Sequence, residues 1–159
     1  MATDSVVHQL AIRVSNRLRD ERLMLVTAES CTGGMVATAI TDISGSSGWF
    51  ERGFVTYSNQ AKSEMIDRHG AVSEPVARAM VEGALRNSRA QVALSITGVA
   101  GPGGGTETKP VGMVSFGWSN RLHTAVETVV FKGGREQIRV QAAAHALRGV
   151  LALLDKQER

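Results

Sequence analysis

Two polar segments of the sequence carry side chains that could do chemistry. Residues 28–34 read Ala-Glu-Ser-Cys-Thr-Gly-Gly, and residues 98–105 contain five glycines. Each follows an apolar run typical of a strand, and ligands of open α/β sheets bind beyond the carboxyl ends of strands. Glycines let the backbone approach a ligand closely, and the amides that open a helix after Gly34 favour an anion or a developing oxyanion. The alternative is that Ser30 and Thr32 only cap that helix.

The glycine-rich segment matches neither of the common phosphate-binding loops. It lacks the Gly-Lys-Ser/Thr ending of a P-loop, and Thr106 stands where the dinucleotide fingerprint needs its last glycine. Two interpretations therefore stay open. The segment either approaches a flat ligand closely or forms a flexible surface connection.

Hydrolysis by a serine needs a base, and a lysine is the better candidate here than a histidine. The four histidines, at positions 8, 69, 123 and 145, stand in no recognisable pattern with a serine. Lysine is scarce, with four lysines against fourteen arginines, and Lys62 occurs soon after Ser46 and Ser47. A lysine whose pKa is lowered can replace histidine as the base, so a serine and lysine pair is one interpretation. An exposed helical lysine is the other.

The single cysteine, Cys31, excludes an intramolecular disulfide and a CxxC pair. A thiolate at the start of a helix would be a good nucleophile, whereas the simpler interpretation is a small buried residue. The scattered histidines offer no metal-ligand spacing, so no metal site is predicted.

Composition predicts one globular domain over residues 1–159. The chain is 43% hydrophobic and 21% charged, which argues against disorder. It has neither a signal-like amino terminus nor an apolar run of about 20 residues, so we expect a cytoplasmic protein without membrane contact. The net charge of +3 is spread over scattered basic residues, which does not favour nucleic acid as a partner.

Hydrophobic periodicity predicts ten elements in the order αβαβααβββα. The predicted helices cover residues 4–19, about 35–40, 60–66, about 74–84 and 135–154, and the predicted strands cover residues 23–28, 49–57, 91–97, 111–118 and 122–131. Helices interleaved with strands favour a three-layer α/β/α sandwich. The last hairpin must be antiparallel while earlier crossovers can be parallel, so the predicted sheet is mixed.

Six motifs occur in an order and spacing that resemble the CinA C-terminal domain family. They are Ala28–Gly34, Gly45–Ser47, Tyr57–Asn59 with Lys62, His69–Ser73, Thr97–Gly104 and Lys109–Gly112. The resemblance extends over nearly the whole chain, from about residue 5 to about residue 155.

The resemblance implies a nicotinamide-nucleotide amidohydrolase, which converts nicotinamide mononucleotide and water to nicotinate mononucleotide and ammonia in pyridine-nucleotide salvage. It implies no metal or other cofactor, and a homodimer or larger assembly. The matching residues implied for catalysis are Ser47 as nucleophile and Lys62 as base, with Ser30 and Tyr57 close by. Ser30 and Ser46 stand in equally familiar motifs and are the alternative nucleophiles.

The same resemblance points to residues that would bind the nucleotide. They are Thr32, Gly33, Ser46, Thr97, Gly98 and Arg135. A guanidinium at the start of the last helix suits a 5′-phosphate, and a surface salt bridge is the alternative role for Arg135.

One departure from the family pattern lies between Ile66 and His69. Only Asp67 and Arg68 stand where relatives carry a longer segment. Two rival functions therefore stay open: a non-catalytic nucleotide-binding or regulatory paralogue, and an amidase that uses Cys31.

Overall fold

The structure is a computed structural model that describes residues 2–58 and 72–157. Its helices are α1 (Ala2–Glu21), α2 (Met35–Thr41), α3 (Glu74–Arg86) and α4 (Arg135–Gln157), with a short 3-10 turn at Ser46–Gly48. Its strands are β1 (Leu25–Glu29), β2 (Phe50–Val55), β3 (Val92–Gly98), β4 (Met113–Ser119) and β5 (Thr124–Val130). The predicted order is confirmed for these elements. The helix predicted at residues 60–66 lies outside the described residues.

One mixed sheet with the strand order β2-β1-β3-β4-β5 organises the domain. β1 pairs in parallel with β2 and with β3, so Glu29 lies beside Val55 on one side and Ile96 on the other. β4 and β5 then continue the sheet antiparallel. The three parallel strands therefore end at the same edge of the sheet, as the sequence predicted.

Helices cover both faces of the sheet, which confirms the three-layer α/β/α sandwich. α1, α2 and α4 share one apolar cluster, to which Val14, Ile40 and Leu147 contribute. α3 packs on the other face, where Val76 and Met80 meet the buried strand residue Val26. The central strands β1 and β3, buried except for the last residue of β3, lie between these two layers.

The start of α3 shows how local sequence sets an element boundary. The hydroxyl of Ser73 accepts a hydrogen bond from the Val76 amide at 3.3 Å, and Pro75 stands in the first turn. A capping serine and a proline in the first turn are both typical of helix starts, so the Ser-Glu-Pro sequence itself sets this boundary. Over the described part of the chain, no helix combines the length and the apolar character needed to cross a bilayer.

Candidate active site

A cleft of about 270 Å³ opens at the carboxyl ends of the parallel strands. Its described lining comes from the turn after β1, the end of β2, the glycine-rich loop after β3 and the start of α4. The lining residues are Ser30, Cys31, Tyr57, Val72, Gly98, Val99, Ala100, Gly101, Gly103, Gly104 and Arg135. The two polar segments singled out in the sequence therefore meet at one site.

Arg135 joins three parts of the cleft wall. Its guanidinium donates one hydrogen bond to the Gly101 carbonyl at 2.9 Å and another to the Tyr57 hydroxyl. The side chain is exposed at the start of α4, and it forms no salt bridge with any side chain described over residues 6–58 and 72–156. The alternative role of a surface salt bridge is therefore not seen, and a positive charge faces the cleft.

Ser30 contributes a hydroxyl with unused hydrogen-bonding capacity. The residue is fully buried, and its Oγ has no hydrogen-bond partner among the described residues. Its backbone is fixed, since its amide donates to the Ile96 carbonyl at 2.9 Å and its carbonyl accepts from the Gly33 amide at 2.9 Å. A buried polar group is normally satisfied, so this hydroxyl is available to a substrate or to a base.

Glu29 caps α2, a role that the sequence did not reveal. Its buried carboxylate accepts hydrogen bonds from the Val36 amide at 2.9 Å, the Ala37 amide at 3.0 Å and the Thr32 hydroxyl at 2.7 Å. The interpretation of Ser30 and Thr32 as the helix caps is therefore wrong. Glu29 occupies the Val36 and Ala37 amides, so these two amides are not open to a substrate anion.

Arg139 lies one helical turn after Arg135 in α4 and holds the loop between β1 and α2 by hydrogen bonds. Its Nε donates to the Cys31 carbonyl at 3.0 Å, and a terminal nitrogen donates to the Thr32 carbonyl at 3.2 Å. Sequence reasoning missed this arginine, although its spacing of four residues from Arg135 places both on one side of α4.

The glycine loop needs its glycines for steric reasons. At Gly98, an added Cβ would lie 2.7 Å from Val114, and at Gly101 it would lie 2.5 Å from Val111. Gly101 also has a φ of +81°. These close contacts argue against a flexible surface connection, and the approach of the loop to a flat ligand stays a prediction.

Ser46 and Ser47 lie at the opposite edge of the sheet. They form the 3-10 turn that precedes β2, and the Trp49 carbonyl after this turn accepts from the amide of Leu25, the first residue of β1. The five residues of β1 separate this turn from Ser30, a distance of roughly 16 Å at about 3.3 Å per residue. Ser47 is exposed there. Within one protomer, Ser47 is thus not close to Ser30 and Tyr57.

The remaining predicted residues lie in different places. Gly98 lines the cleft, whereas Thr97 is fully buried in β3 and is not among the residues that line it. Thr32 and Gly33 line a different cavity between the helices. Lys62 lies outside the described residues. Cys31 is 5% exposed, in keeping with its interpretation as a small buried residue.

The part of the chain that the structure describes contains no group of three or more His, Cys, Asp and Glu side chains arranged to hold a metal ion. The described lining of this cleft supplies a hydroxyl, a thiol, a phenol, a guanidinium and backbone groups.

Comparison with known proteins identifies the family. The family model described as "CinA C-terminal domain" matches residues 7–154. The chain belongs to the CinA C-terminal domain family. Solved structures of the CinA superfamily share its fold, including the competence/damage inducible protein CihA from Agrobacterium tumefaciens. That structure has a TM-score of 0.89 and 41% sequence identity, over 93% of this chain and 95% of that one.

Curated relatives fall into two length classes. The nicotinamide-nucleotide amidohydrolase PncC of Escherichia coli K12 is 51% identical over 92% of this chain and 93% of its own length. The CinA-like protein of Syntrophobacter fumaroxidans is 52% identical over 84% of this chain but only 33% of its own length. This CinA-family chain therefore corresponds to nearly all of the shorter relative and to one third of the longer one.

Proposed function

We propose that the protein hydrolyses the carboxamide of nicotinamide mononucleotide, giving nicotinate mononucleotide and ammonia, a reaction of pyridine-nucleotide salvage. The name of the E. coli relative, at 51% identity over most of both chains, supports this substrate. The observation that carries the proposal is the pairing, in one cleft, of the Arg135 guanidinium with the unpartnered hydroxyl of Ser30. The guanidinium can bind a phosphate, and the hydroxyl can contact the carboxamide.

Arg135 is the proposed phosphate-binding residue. It stands at the first position of α4, carries no counter-ion among the described residues and projects beside the Tyr57 hydroxyl. Guanidinium and phosphate form charge-assisted, two-pronged hydrogen bonds. The glycine loop beside it leaves room for a flat pyridine ring, because Gly98, Gly103 and Gly104 line the cleft without side chains.

The proposed chemistry is acyl transfer to a serine. The serine Oγ attacks the carboxamide carbon while its proton passes to Lys62, and a tetrahedral oxyanion forms. The protonated lysine then gives the proton to the departing nitrogen, so that ammonia leaves and an ester remains. Water hydrolyses this ester by the same exchange, which releases the carboxylate and restores the serine.

Two serines compete for the role of nucleophile. Ser30 is the serine of the cleft itself, and Lys62 follows the cleft residue Tyr57 by five positions in the sequence. Ser47, the nucleophile that the family resemblance implies, lies at the other edge of the sheet. It can act at a cleft only if a second copy of the chain brings it there, which suits the expected homodimer.

Kinetics of single variants and of their mixtures separate these cases. We expect Ser30→Ala and Lys62→Ala each to lower ammonia release at least 100-fold while the folded state, followed by circular dichroism, is retained. Ser47→Ala tests whether a second copy of the chain contributes its Ser47 to the cleft. If Ser47 acts from a second copy, Ser47→Ala alone is inactive, and mixing it with inactive Lys62→Ala under subunit exchange restores part of the activity. Full activity of Ser30→Ala, Ser47→Ala and Lys62→Ala alike contradicts the serine and lysine mechanism.

The rival proposal is a nucleotide-binding paralogue without turnover, motivated by the short segment at Asp67 and Arg68. It predicts saturable binding of nicotinamide mononucleotide by calorimetry with no ammonia released. An amidase that uses Cys31 instead predicts inactivation by Cys31→Ser and full activity of both serine variants.

A further inference from the structure

A second cavity, of about 400 Å³, lies where α1, α2 and α4 meet, and neither the fold nor the proposed reaction uses it. Val7 and Ala39 form an apolar floor, since both are buried. Its polar lining comes from Thr32, His8, Thr38, Asp42 and Arg139. A volume of this size with an apolar floor and a few polar groups is typical of small-molecule sites.

Arg139 supplies a half-buried positive charge to this cavity. Two of its nitrogens donate to the Cys31 and Thr32 carbonyls, which are neutral acceptors. Among the residues whose side chains the structure describes, 6–58 and 72–156, Arg139 forms no salt bridge. A half-buried guanidinium without a counter-ion favours an anion from solution.

Asp42 supplies the opposite charge at the far end of α2. Arg139 contacts the turn before α2, whereas Asp42 immediately follows the helix, so the seven residues of α2 separate the two by about 10 Å. No basic residue occurs in the last turn of α2, and Asp42 forms no salt bridge with a described residue. The carboxylate also stands at a helix C-terminus, where the backbone carbonyls add to the negative potential.

We propose that this cavity is a second small-molecule site, for a compound that carries a carboxylate or phosphate at one end and an ammonium group at the other. The anionic end binds Arg139, the cationic end binds Asp42, and an apolar middle lies on Val7 and Ala39. His8 and the buried Glu29 are the other titratable groups nearby, and Glu29 is already satisfied by three hydrogen bonds within the protein. This inference does not depend on the proposed amide hydrolysis.

The probe for the test is 6-aminohexanoate, which joins the two charges by five methylenes, and the controls are hexanoate and 1-aminohexane. Titration is followed by ¹H–¹⁵N NMR of the intact chain at the amides of Gly33, Gly34 and Met35. We expect saturable shifts with 6-aminohexanoate and binding several-fold weaker with either singly charged control. Arg139→Gln is expected to weaken binding roughly tenfold or more, the loss typical of a charged hydrogen bond.

Two further variants make the outcome unambiguous if Arg139→Gln disturbs the turn. Asp42→Asn leaves every contact of Arg139 in place and is expected to abolish the preference for 6-aminohexanoate over hexanoate. Arg135→Gln removes the cation of the cleft and is expected to leave the titration unchanged. The proposal is overturned if the amides do not shift, if Asp42→Asn keeps the preference, or if Arg135→Gln abolishes the shifts.

Discussion

The guanidinium of Arg135 donates a hydrogen bond to the hydroxyl of Tyr57, although 78 residues separate them in the sequence. The contact joins the start of α4 to the end of β2 across the mouth of the cleft. Both side chains are largely exposed, so the pair contributes little to folding and is available to a ligand. Four predictions follow from this arrangement and from the residues behind it.

Arg135→Gln should impair binding of the phosphate selectively. We expect kcat/KM for nicotinamide mononucleotide to fall about 10- to 100-fold, since a hydrogen bond to a charged group contributes about 1.5 to 3 kcal/mol. Activity on nicotinamide riboside, which has no phosphate, should change less than threefold. Arg148→Gln, an exposed arginine of the same helix outside the cleft, is the matched control. Equal losses on both substrates would argue against the phosphate role.

Tyr57→Phe should disturb the position of Arg135 without changing the stability of the fold. The change removes the hydroxyl that Arg135 contacts and keeps the ring that lines the cleft. We expect KM for nicotinamide mononucleotide to rise several-fold, with the free energy of unfolding within about 0.5 kcal/mol of the wild type. Urea unfolding and steady-state kinetics on the same preparation measure both. An unchanged KM would show that the hydroxyl does not position Arg135.

Gly101→Ala should distort the cleft wall, whereas Gly103→Ala should not. An alanine Cβ at position 101 would lie 2.5 Å from Val111 on a backbone with φ of +81°, while at position 103 no atom lies within 4 Å. We expect Gly101→Ala to lose on the order of 2 kcal/mol of stability and most of the activity. Gly103→Ala, the control, should keep the stability and the activity of the wild type. Similar behaviour of the two variants would contradict the described loop.

Glu29→Gln should destabilise the turn that carries Ser30. The buried carboxylate accepts three hydrogen bonds, and an amide in its place presents a donor to groups that donate. We expect a loss of about 2 kcal/mol or more in the free energy of unfolding. Glu82→Gln, on the exposed side of α3, should change it by less than about 0.5 kcal/mol. A neutral Glu29→Gln would refute the capping role.

Most of the fold was predictable because the hydrophobic periodicity and the positions of capping and turn residues agree along the chain. The apolar spacing of α1 and α4 and the Ser-Glu-Pro start of α3 each indicate one structure only. The meeting of residues 28–34 with the glycine loop was also predictable, since parallel strands end at one edge. Lys62 remains a prediction.

Other parts of the site depend on contacts that a linear pattern does not encode. Arg139 reaches the Cys31 carbonyl across 108 residues, and Glu29 caps a helix that begins six residues after it. The separation of Ser47 from Tyr57 could have been predicted from the sequence. Residues before and after a strand lie at opposite edges, so a serine before β2 and a tyrosine after it cannot share one edge.

The most direct test of the central claim is a crystal structure of the protein with nicotinate mononucleotide. We expect the phosphate within hydrogen-bonding distance of Arg135, the pyridine ring against the glycine loop, and the carboxylate beside the hydroxyl of Ser30. A serine contributed by a second copy would appear at the same carboxylate. A nucleotide bound elsewhere, with the cleft at the ends of β1, β2 and β3 empty, would contradict the proposed site.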